Sequence, residues 1–342
     1  MSEAQPDEAD MQREGKLPAD PRSGTKVVAA KVPRVLSVQQ LLTGARERAF
    51  MRRDEANIMT TGHWRLDDIT GGIRKGFSWL FGADTSFGKS TWLISVADEN
   101  IKRKKKVLIV SSEDPEEIYA DRLMVRRARV DAKRFRDQML QPEEMQRVLD
   151  EEQSAEPIPV YMDASRWPVE DLAPHLETLI REQSIDVVAF DYIQEFKSSK
   201  RWQDERVKFR EIASVLRHIG KKLKVASILF SQLTLDADTK IPTRRNIREC
   251  RDIANASEVI LIGFEPDTDI KDKMGAIVVD AGTKCVLVDK VKNGPRGGKV
   301  PLDWNRDFAC FDAVVDPQAQ RYARATNGED FGSFADDTRY GS

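Results

Sequence analysis

Cysteine is scarce in this chain of 342 residues: Cys250, Cys285 and Cys310 lie far apart and form no CxxC pair. That spacing offers nothing like the paired thiolates of a structural zinc site, so no zinc is expected. Such sparse cysteine also fits a reducing compartment. Histidine is equally rare; His63, His175 and His218 are isolated, and none is assigned chemistry. Long apolar runs are missing. The stretches VLIV, DVVAF, VASILF and VILIGF all fall short of the roughly 18–20 residues that a membrane span needs. The N-terminal MSEAQPDEADMQREGK has no apolar h-region, so no secretory signal is expected. A soluble, cytoplasmic protein with no membrane partner follows as the expectation. Neither sign of charge dominates: 55 Lys and Arg stand against 57 Asp and Glu, a formal net charge of -2. Nucleic acid is therefore not announced globally, and any site for it must be a local basic patch. Internal repeats are also missing.

Hydrophobic residues make up 40% and charged residues 33%, enough for a sizeable core under well-solvated faces. Residues 1–34 are rich in charge, Pro and Gly and are expected to be disordered, because they cannot bury enough surface to offset ordering entropy. The stretch 316–342 reads as a second disordered, acidic tail, either solubilising or partner-binding. Between the first tail and the core, 35–59 reads as a linker carrying a helix at about 37–53. Ser37 is its N-cap, Gln40 completes a capping box, and Leu36 with Leu41 forms a hydrophobic staple. Val38, Leu41, Leu42, Ala45 and Ala49 line one apolar stripe. A helix this short cannot stand alone in water, so the stripe must cover its own domain or a neighbouring subunit.

From 60 to 315, short β-branched runs alternate with helical stretches. Strands are expected at 77–82, 107–111, 186–191, 225–230, 258–264, 275–280 and 284–291. Helices are expected at 89–104, 115–129, 142–151, 169–183 and 203–222. That alternation predicts one α/β domain, a mostly parallel twisted sheet with helices on both faces. The pair 275–280 and 284–291, joined by AGTK, predicts a C-terminal β-hairpin.

The strongest local signal is FGADTSFGKST at 81–91, which follows an expected strand and opens an expected helix. That context suits a phosphate-binding loop. Ala83, Asp84, Thr85, Ser86, Phe87 and Gly88 would present backbone N–H groups at a helix N-terminus. Lys89 supplies a full positive charge for the β- and γ-phosphates of ATP, and the Ser90 hydroxyl, beside Thr91, can ligate Mg²⁺. One position departs from the strict pattern: Ala83 stands where glycine is usual, and Gly82 falls one residue early.

Ligands of parallel sheets bind at the carboxyl ends of strands, which directs attention to polar residues just past apolar runs. Glu113 follows KVLIVSS and could activate water as a general base; Asp114, just before Pro115, fits better as an acid favourable to a helix N-terminus. Asp191 follows IDVVAF and suits a Mg²⁺-holding acid, or a capping acid. Gln232 follows VASILFS and could sense the γ-phosphate, or be a loop amide.

Taken in order, GADTSFGKST, LIVSSED, FDYIQ, FSQL, RRNIRECRDIANASEVILI and KVKNGPRGG resemble the C-terminal motor domain of DnaB-type replicative helicases over about 60–312. The resemblance implies a RecA-like P-loop NTPase fold, ATP and Mg²⁺ as cofactors, and a homo-oligomeric, hexameric ring translocating on single-stranded DNA. It assigns nucleotide binding to Lys89, Ser90 and Thr91, water activation to Glu113, metal holding to Asp191 and phosphate sensing to Gln232. It also implies a basic pair that reaches the next subunit's ATP site, here Lys290 and Lys292. Lysine at the second position, where the family carries arginine, lacks the planar fork that grips a transition state; Arg296 is the alternative donor.

Two basic segments could meet DNA, 197–210 (KSSKRWQDERVKFR) and 239–251 (TKIPTRRNIRECR). Arg244, Arg245, Arg248 and Arg251 would contact phosphates, and the resemblance sets Arg248 and Glu249 near the strand in the central channel. Cys250 and Arg251 stand where relatives often carry Ser-Gly. KRKKK at 102–106 reads as cations at a helix C-terminus. RRARVDAKRFR at 126–136 reads as a solvated helix face or a partner surface. Family members usually carry an N-terminal helical collar, whereas about 60 residues precede the core here. That arrangement suggests a compact, phage- or plasmid-style helicase of a bacterial cell, with primase, loader or polymerase as partners. The alternatives are a RecA- or KaiC-like DNA-binding ATPase that does not unwind, and a nucleotide-gated scaffold.

Overall fold

The computed structural model describes residues 37–50, 58–158, 160–234, 241–247, 251–271, 274–292, 294 and 297–317. The expected N-terminal tail, the expected C-terminal tail from residue 318 on, Leu36 of the expected staple, Arg248, Glu249, Cys250 and Arg296 lie outside them. Contacts divide the chain into two units, Met1–Arg52 and Arg53–Ser342. In the first, α1 spans Val38–Phe50. Its capping box forms as the sequence suggests: Ser37 N donates to Gln40 Oε1 at 2.9 Å and Gln40 N to Ser37 Oγ at 3.2 Å. Val38, Leu41 and Leu42 of the apolar stripe are exposed.

The second unit is built on an eight-stranded sheet. Its strands are β1 (Ser78–Ala83), β2 (Val107–Ser111), β3 (Tyr161–Asp163), β4 (Val187–Asp191), β5 (Ala226–Gln232), β6 (Val259–Phe264), β7 (Cys285–Val291) and β8 (Lys299–Pro301). Across the sheet the order is β8-β7-β6-β1-β5-β4-β2-β3. The six strands from β6 to β3 run parallel, and β7 and β8 close one edge antiparallel. Every residue of β1, β2, β4 and β6 is buried. That is why these strands read as unbroken apolar runs rather than alternating ones: helices cover both faces.

The helices are α2 (Trp64–Thr70), α3 (Lys89–Lys102), α4 (Glu116–Ala128), α5 (Ala132–Arg136), α6 (Pro142–Ser154), α7 (Val169–Gln183), α8 (Glu205–Leu223) and α9 (Arg251–Ala256). Successive side chains of a strand point to opposite faces. Trp79 and Phe81 of β1 accordingly join Trp92 and Val96 of α3 in one core layer. Leu80 joins Leu172 and Leu176 of α7 and Phe209 and Leu216 of α8 in the other. His63 caps α2, its Nδ1 accepting from Arg65 N at 3.2 Å.

The late hairpin differs from expectation in its partners. Residues 277–279 pair with 270–271, whereas β7 pairs with β6 along Cys285–Val291 and with β8 through Cys285↔Pro301. The reason is burial: β6 offers β7 a fully buried, six-residue neighbour, while Ile277 and Val278 are exposed. A C-terminal antiparallel hairpin exists, but its second arm is β8.

The two basic runs outside the expected site are tied into this frame. Lys102 pairs with Asp98 at 2.8 Å, and Lys106 Nζ donates to Gln183 O at 2.8 Å, as expected of a structural helix end. Arg126 is neither on a solvated face nor on an open surface. It is 2% exposed and joins α4 to α3, donating to Asp98 Oδ2 at 2.9 Å and to Glu99 Oε1 at 2.7 Å.

Candidate nucleotide-binding site

The carboxyl ends of β1, β2, β4 and β5 lie side by side, with Ala83 opposite Gln232 and Ser111 opposite Asp191 in the strand registers. The loop leaving β1 makes a single 3-10 turn over Thr85–Phe87, then Gly88 adopts φ +91° before α3 begins at Lys89. Only glycine takes that left-handed conformation without strain, and it turns the first N–H groups of α3 back over the strand end. Gly82 has a different role from the one its place near the loop suggests. A Cβ there would lie 2.9 Å from Leu233 Cδ2, so it is glycine for close packing against the β5 exit.

Lys89 is 8% exposed, and its Nζ donates to the Ala83 and Asp84 carbonyl oxygens at 3.3 Å each. Burial pushes its ammonium below the ordinary lysine range, while Asp191, Glu113 and Asp84 oppose that shift. The lysine therefore feels both sequence-predicted acids at once. Asp191 is 2% exposed. Its Oδ2 accepts from the Tyr119 hydroxyl at 2.8 Å, while its Oδ1 is buried without a hydrogen-bond partner. Burial pushes its carboxyl above the usual carboxylate range, against the influence of Ser90, Tyr119 and Lys89. Glu113 is exposed; partial desolvation, then repulsion from Asp114 and Asp191, raise its pKa as well. Asp114 lies 3.4 Å from Arg122, and Pro115, not Asp114, is the N-cap of α4.

Gln232 sits beside a bridge between strand ends. Gln194 Nε2 donates to Ser231 Oγ at 2.8 Å, and Gln232 N donates to Gln194 Oε1 at 3.4 Å. The loop after β4 is thus tied to the end of β5. Lys284 also touches the phosphate loop, donating to Ser86 O at 3.3 Å and to Glu265 Oε2 at 3.2 Å, with Phe87 and Trp304 flanking its ammonium. Tyr119, Gln194 and Lys284 escape sequence reading. Lys284 lies 198 positions from its partner Ser86, and no local pattern marks such a contact.

The model of the DnaB-like helicase C terminal domain matches residues 59–313. This chain belongs to that family. The replicative DNA helicase DnaB of Geobacillus stearothermophilus is 24% identical over 272 residues, covering 78% of this chain and 58% of that protein. The replicative DNA helicase DnaC of Bacillus subtilis is 24% identical over 288 residues, covering 80% and 62%. The chain thus spans about three fifths of the length of these curated relatives. A solved DnaB-like replicative helicase, described with its interactions with primase, superposes with a TM-score of 0.67 at 19% identity, covering 82% of this chain and 68% of that one. A solved ATPase domain superposes with a TM-score of 0.68 at 19% identity, covering 82% and 99%. These superpositions fix the fold as that of the DnaB-type, RecA-like ATPase domains.

Within this DnaB-like domain the basic pair stands apart from the phosphate loop. Lys290 lies opposite Ile260 on β7, and Lys292 N donates to Glu258 O at 2.7 Å, at the start of β6. Glu258 N in turn donates to Ser78 O, five residues before Ala83, a span of roughly 16 Å along a strand. Lys292 therefore sits at the opposite end of the parallel strands from its own loop. Its ammonium is 3.7 Å from Glu258 Oε1, and Lys290 Nζ donates to Asn255 O at 2.7 Å and to Ala254 O at 3.2 Å.

The basic segment after β5 is only partly free for other contacts. Arg244 Nη2 donates to Asp289 O at 2.9 Å, and its Nε pairs with the Asp289 carboxylate. Arg245 is exposed. Arg251 opens α9. Thr234 N donates to Asn246 O at 2.8 Å, so this segment is anchored two residues past Gln232.

Proposed function

We propose that the chain is the motor of a DnaB-type replicative helicase. In this reading ATP hydrolysis drives a homo-oligomeric ring, six-membered as the family resemblance implies, along single-stranded DNA. The observation that carries it is the placing of Lys89, Glu113 and Asp191 at the carboxyl ends of β1, β2 and β4 on one side of the sheet, with a buried Asp191 oxygen left unpartnered. That oxygen is the signature of a site built for a cation: a buried acceptor without a donor is costly unless a ligand completes it. Ser90 and Asp191 would hold Mg²⁺, which supplies charge neutralisation at the phosphates. Ala83, Asp84, Thr85, Ser86, Phe87, Gly88 and Thr91 would frame the triphosphate, and the Lys89 ammonium would leave the loop carbonyls for its β- and γ-oxygens. Glu113 would take the proton of the attacking water. Gln232, through the Gln194–Ser231 bridge, would report loss of the γ-phosphate.

The far-end position of Lys290 and Lys292 supports a role in trans, on the site of an adjoining copy. The exposed stripe of α1 supports an assembly in which that helix covers a neighbouring subunit. Arg245, Arg248, Glu249 and Arg251, with Arg244 as their anchor on β7, form the proposed DNA contact. Its link to the Gln232 strand end would couple nucleotide state to DNA grip. Replication proteins such as primase, a loader or polymerase are the partner class this reading implies.

The test combines ATPase rates with and without single-stranded DNA and an unwinding assay on a forked duplex. The wild-type chain is expected to hydrolyse ATP faster with DNA and to separate strands, and Lys89→Ala to lose turnover. Unchanged turnover in Lys89→Ala would overturn the assignment. Turnover without strand separation would favour a DNA-binding ATPase that does not unwind.

A further inference from the structure

Asp191 is held from a direction that the nucleotide-site pattern does not require. Its partner is Tyr119, in the first turn of α4, 4% exposed and packed at 5.2 Å between ring centroids against Tyr161. A buried phenol needs an acceptor, and this one donates to a carboxylate oxygen at 2.8 Å. A phenol is protonated at neutral pH, so the hydroxyl can donate here. One carboxylate oxygen is thereby fixed. The other, Oδ1, is buried and unpartnered, and the hydrogen bond to Oδ2 sets where it points.

Tyr161, the ring packed on Tyr119, reaches the main chain beside Glu113. Tyr161 OH donates to Asp114 O at 3.0 Å, and Ser111 Oγ donates to the same carbonyl at 2.7 Å. Ser112 N donates to Asp191 O at 3.0 Å and Ser112 Oγ to Tyr192 O at 3.1 Å. The segment carrying Glu113 is thus tied through Ser112 to the strand that carries Asp191 and through the Asp114 carbonyl to Tyr161 of β3.

We infer that Tyr119 is a positioning residue for the metal: its hydroxyl orients Asp191 so that the free carboxylate oxygen meets the Mg²⁺ of a bound metal–nucleotide complex. The inference rests on the nucleotide-site reading above. Partners that orient metal ligands are commonly worth 10–100-fold in metal affinity.

The test uses Mn²⁺ as the probe, with the free ion followed by electron paramagnetic resonance in the presence of the β,γ-imido analogue of ATP. Tyr119→Phe keeps the ring against Tyr161 and removes only the donor. It is expected to weaken Mn²⁺ binding about tenfold, while metal-free binding of a fluorescent ATP analogue stays within about twofold and the melting temperature holds. Tyr119→Leu, lacking ring and hydroxyl, should show at least the same loss. Mn²⁺ binding by Tyr119→Phe equal to wild type overturns the role of the hydroxyl, and a defect confined to Tyr119→Leu assigns the residue to packing alone. If wild type itself binds no Mn²⁺ with the analogue, the nucleotide-site reading falls, and the positioning role with it.

Discussion

Replacing Arg126 with leucine should destabilise the domain by about 2–4 kcal/mol, and the size of the effect follows from what the guanidinium leaves behind. Arg126 donates to Asp98 Oδ2, Glu99 Oε1, Ser95 Oγ and the Phe311 carbonyl, tying α3, α4 and the strand at 310–311 into one block. Breaking a buried ion pair by removing one partner typically costs about 3–5 kcal/mol, because the other charge is stranded. Here the acids are not stranded. Asp98 keeps Lys102 at 2.8 Å and Arg127 at 2.7 Å, and Glu99 keeps Lys102 at 3.1 Å. Ser95 Oγ still donates to Thr91 O and accepts from Phe311 N. The Phe311 carbonyl alone loses its side-chain donor, at about 1–3 kcal/mol for a buried group. Part of the full penalty is therefore avoided. Arg126→Lys should fall between, since one ammonium cannot replace a planar fork with five donors.

The assay is urea unfolding followed by tryptophan fluorescence, comparing midpoints at a common slope. Burial alone would lift the Asp98 pKa, but hydrogen bonds from Lys102 and Arg127 outweigh it and hold the carboxyl below its ordinary value. A carboxylate depressed on folding contributes stability above its unfolded pKa and loses it as pH falls through the folded value. Wild type and Arg126→Leu should both lose this contribution in acid, because Lys102 and Arg127 are present in each. A loss under about 1 kcal/mol at neutral pH would refute the buried-network argument and return this arginine to a surface role.

Three other outcomes are expected. Glu113 has a raised pKa and must be ionised to accept a proton, so ATPase activity should fall on acidification at a pH above the ordinary carboxylate range. A pH–rate profile checks this, and an acid limb at or below that range would remove Glu113 as the base. Lys292→Ala should change stability by no more than about 0.5 kcal/mol, because its side chain is 58% exposed and the buried Glu258 keeps Lys221 at 3.1 Å, yet it should slow the assembled ATPase. Mixing it with Lys89→Ala subunits should restore part of the turnover, and no restoration would exclude action in trans. Cys285 and Cys310 are buried and free; burial lifts the first thiol to about 12 and raises the second. Alkylation of these two, read by peptide mapping, should require denaturant.

Most strands and helices were legible because burial on both faces leaves a simple trace. β2 spans Val107–Ser111 and α7 spans Val169–Gln183, each at the expected bounds. Runs such as VLIV and VVAF cannot be solvated, and the amphipathic period of α7 admits one reading. The short strands β3 and β8 were missed, since three residues carry too little pattern to stand out from loop. The hairpin was assigned to the wrong arm for a related reason. Sequence adjacency favoured 275–280 as the partner of β7, but pairing follows burial, and β6 supplies more of it than an exposed neighbour can.

The candidate site divides along the same line. Lys89, Glu113, Asp191 and Gln232 could be found because each marks the end of an apolar run, and parallel topology sends all such ends to one edge. What controls those groups comes from elsewhere in the chain: Tyr119 lies 72 positions from Asp191, and Arg126 lies 185 from Phe311. Whether a helical side chain reaches a strand end depends on how the helix is rotated about its axis. That rotation is set by the packing of a whole face, so no single residue announces it. Arg126 shows how this misleads. In RRARVDAKRFR it is one cation among several, yet the turn of α4 that buries Val125 and Ala128 also carries Arg126 inward. A charge carried to that depth folds only if acids wait for it, and α3 places Ser95, Asp98 and Glu99 within one turn, three of the four groups to which Arg126 donates. Reading the α3 pattern with that of α4, rather than either alone, is what turns a surface-like basic run into a core contact.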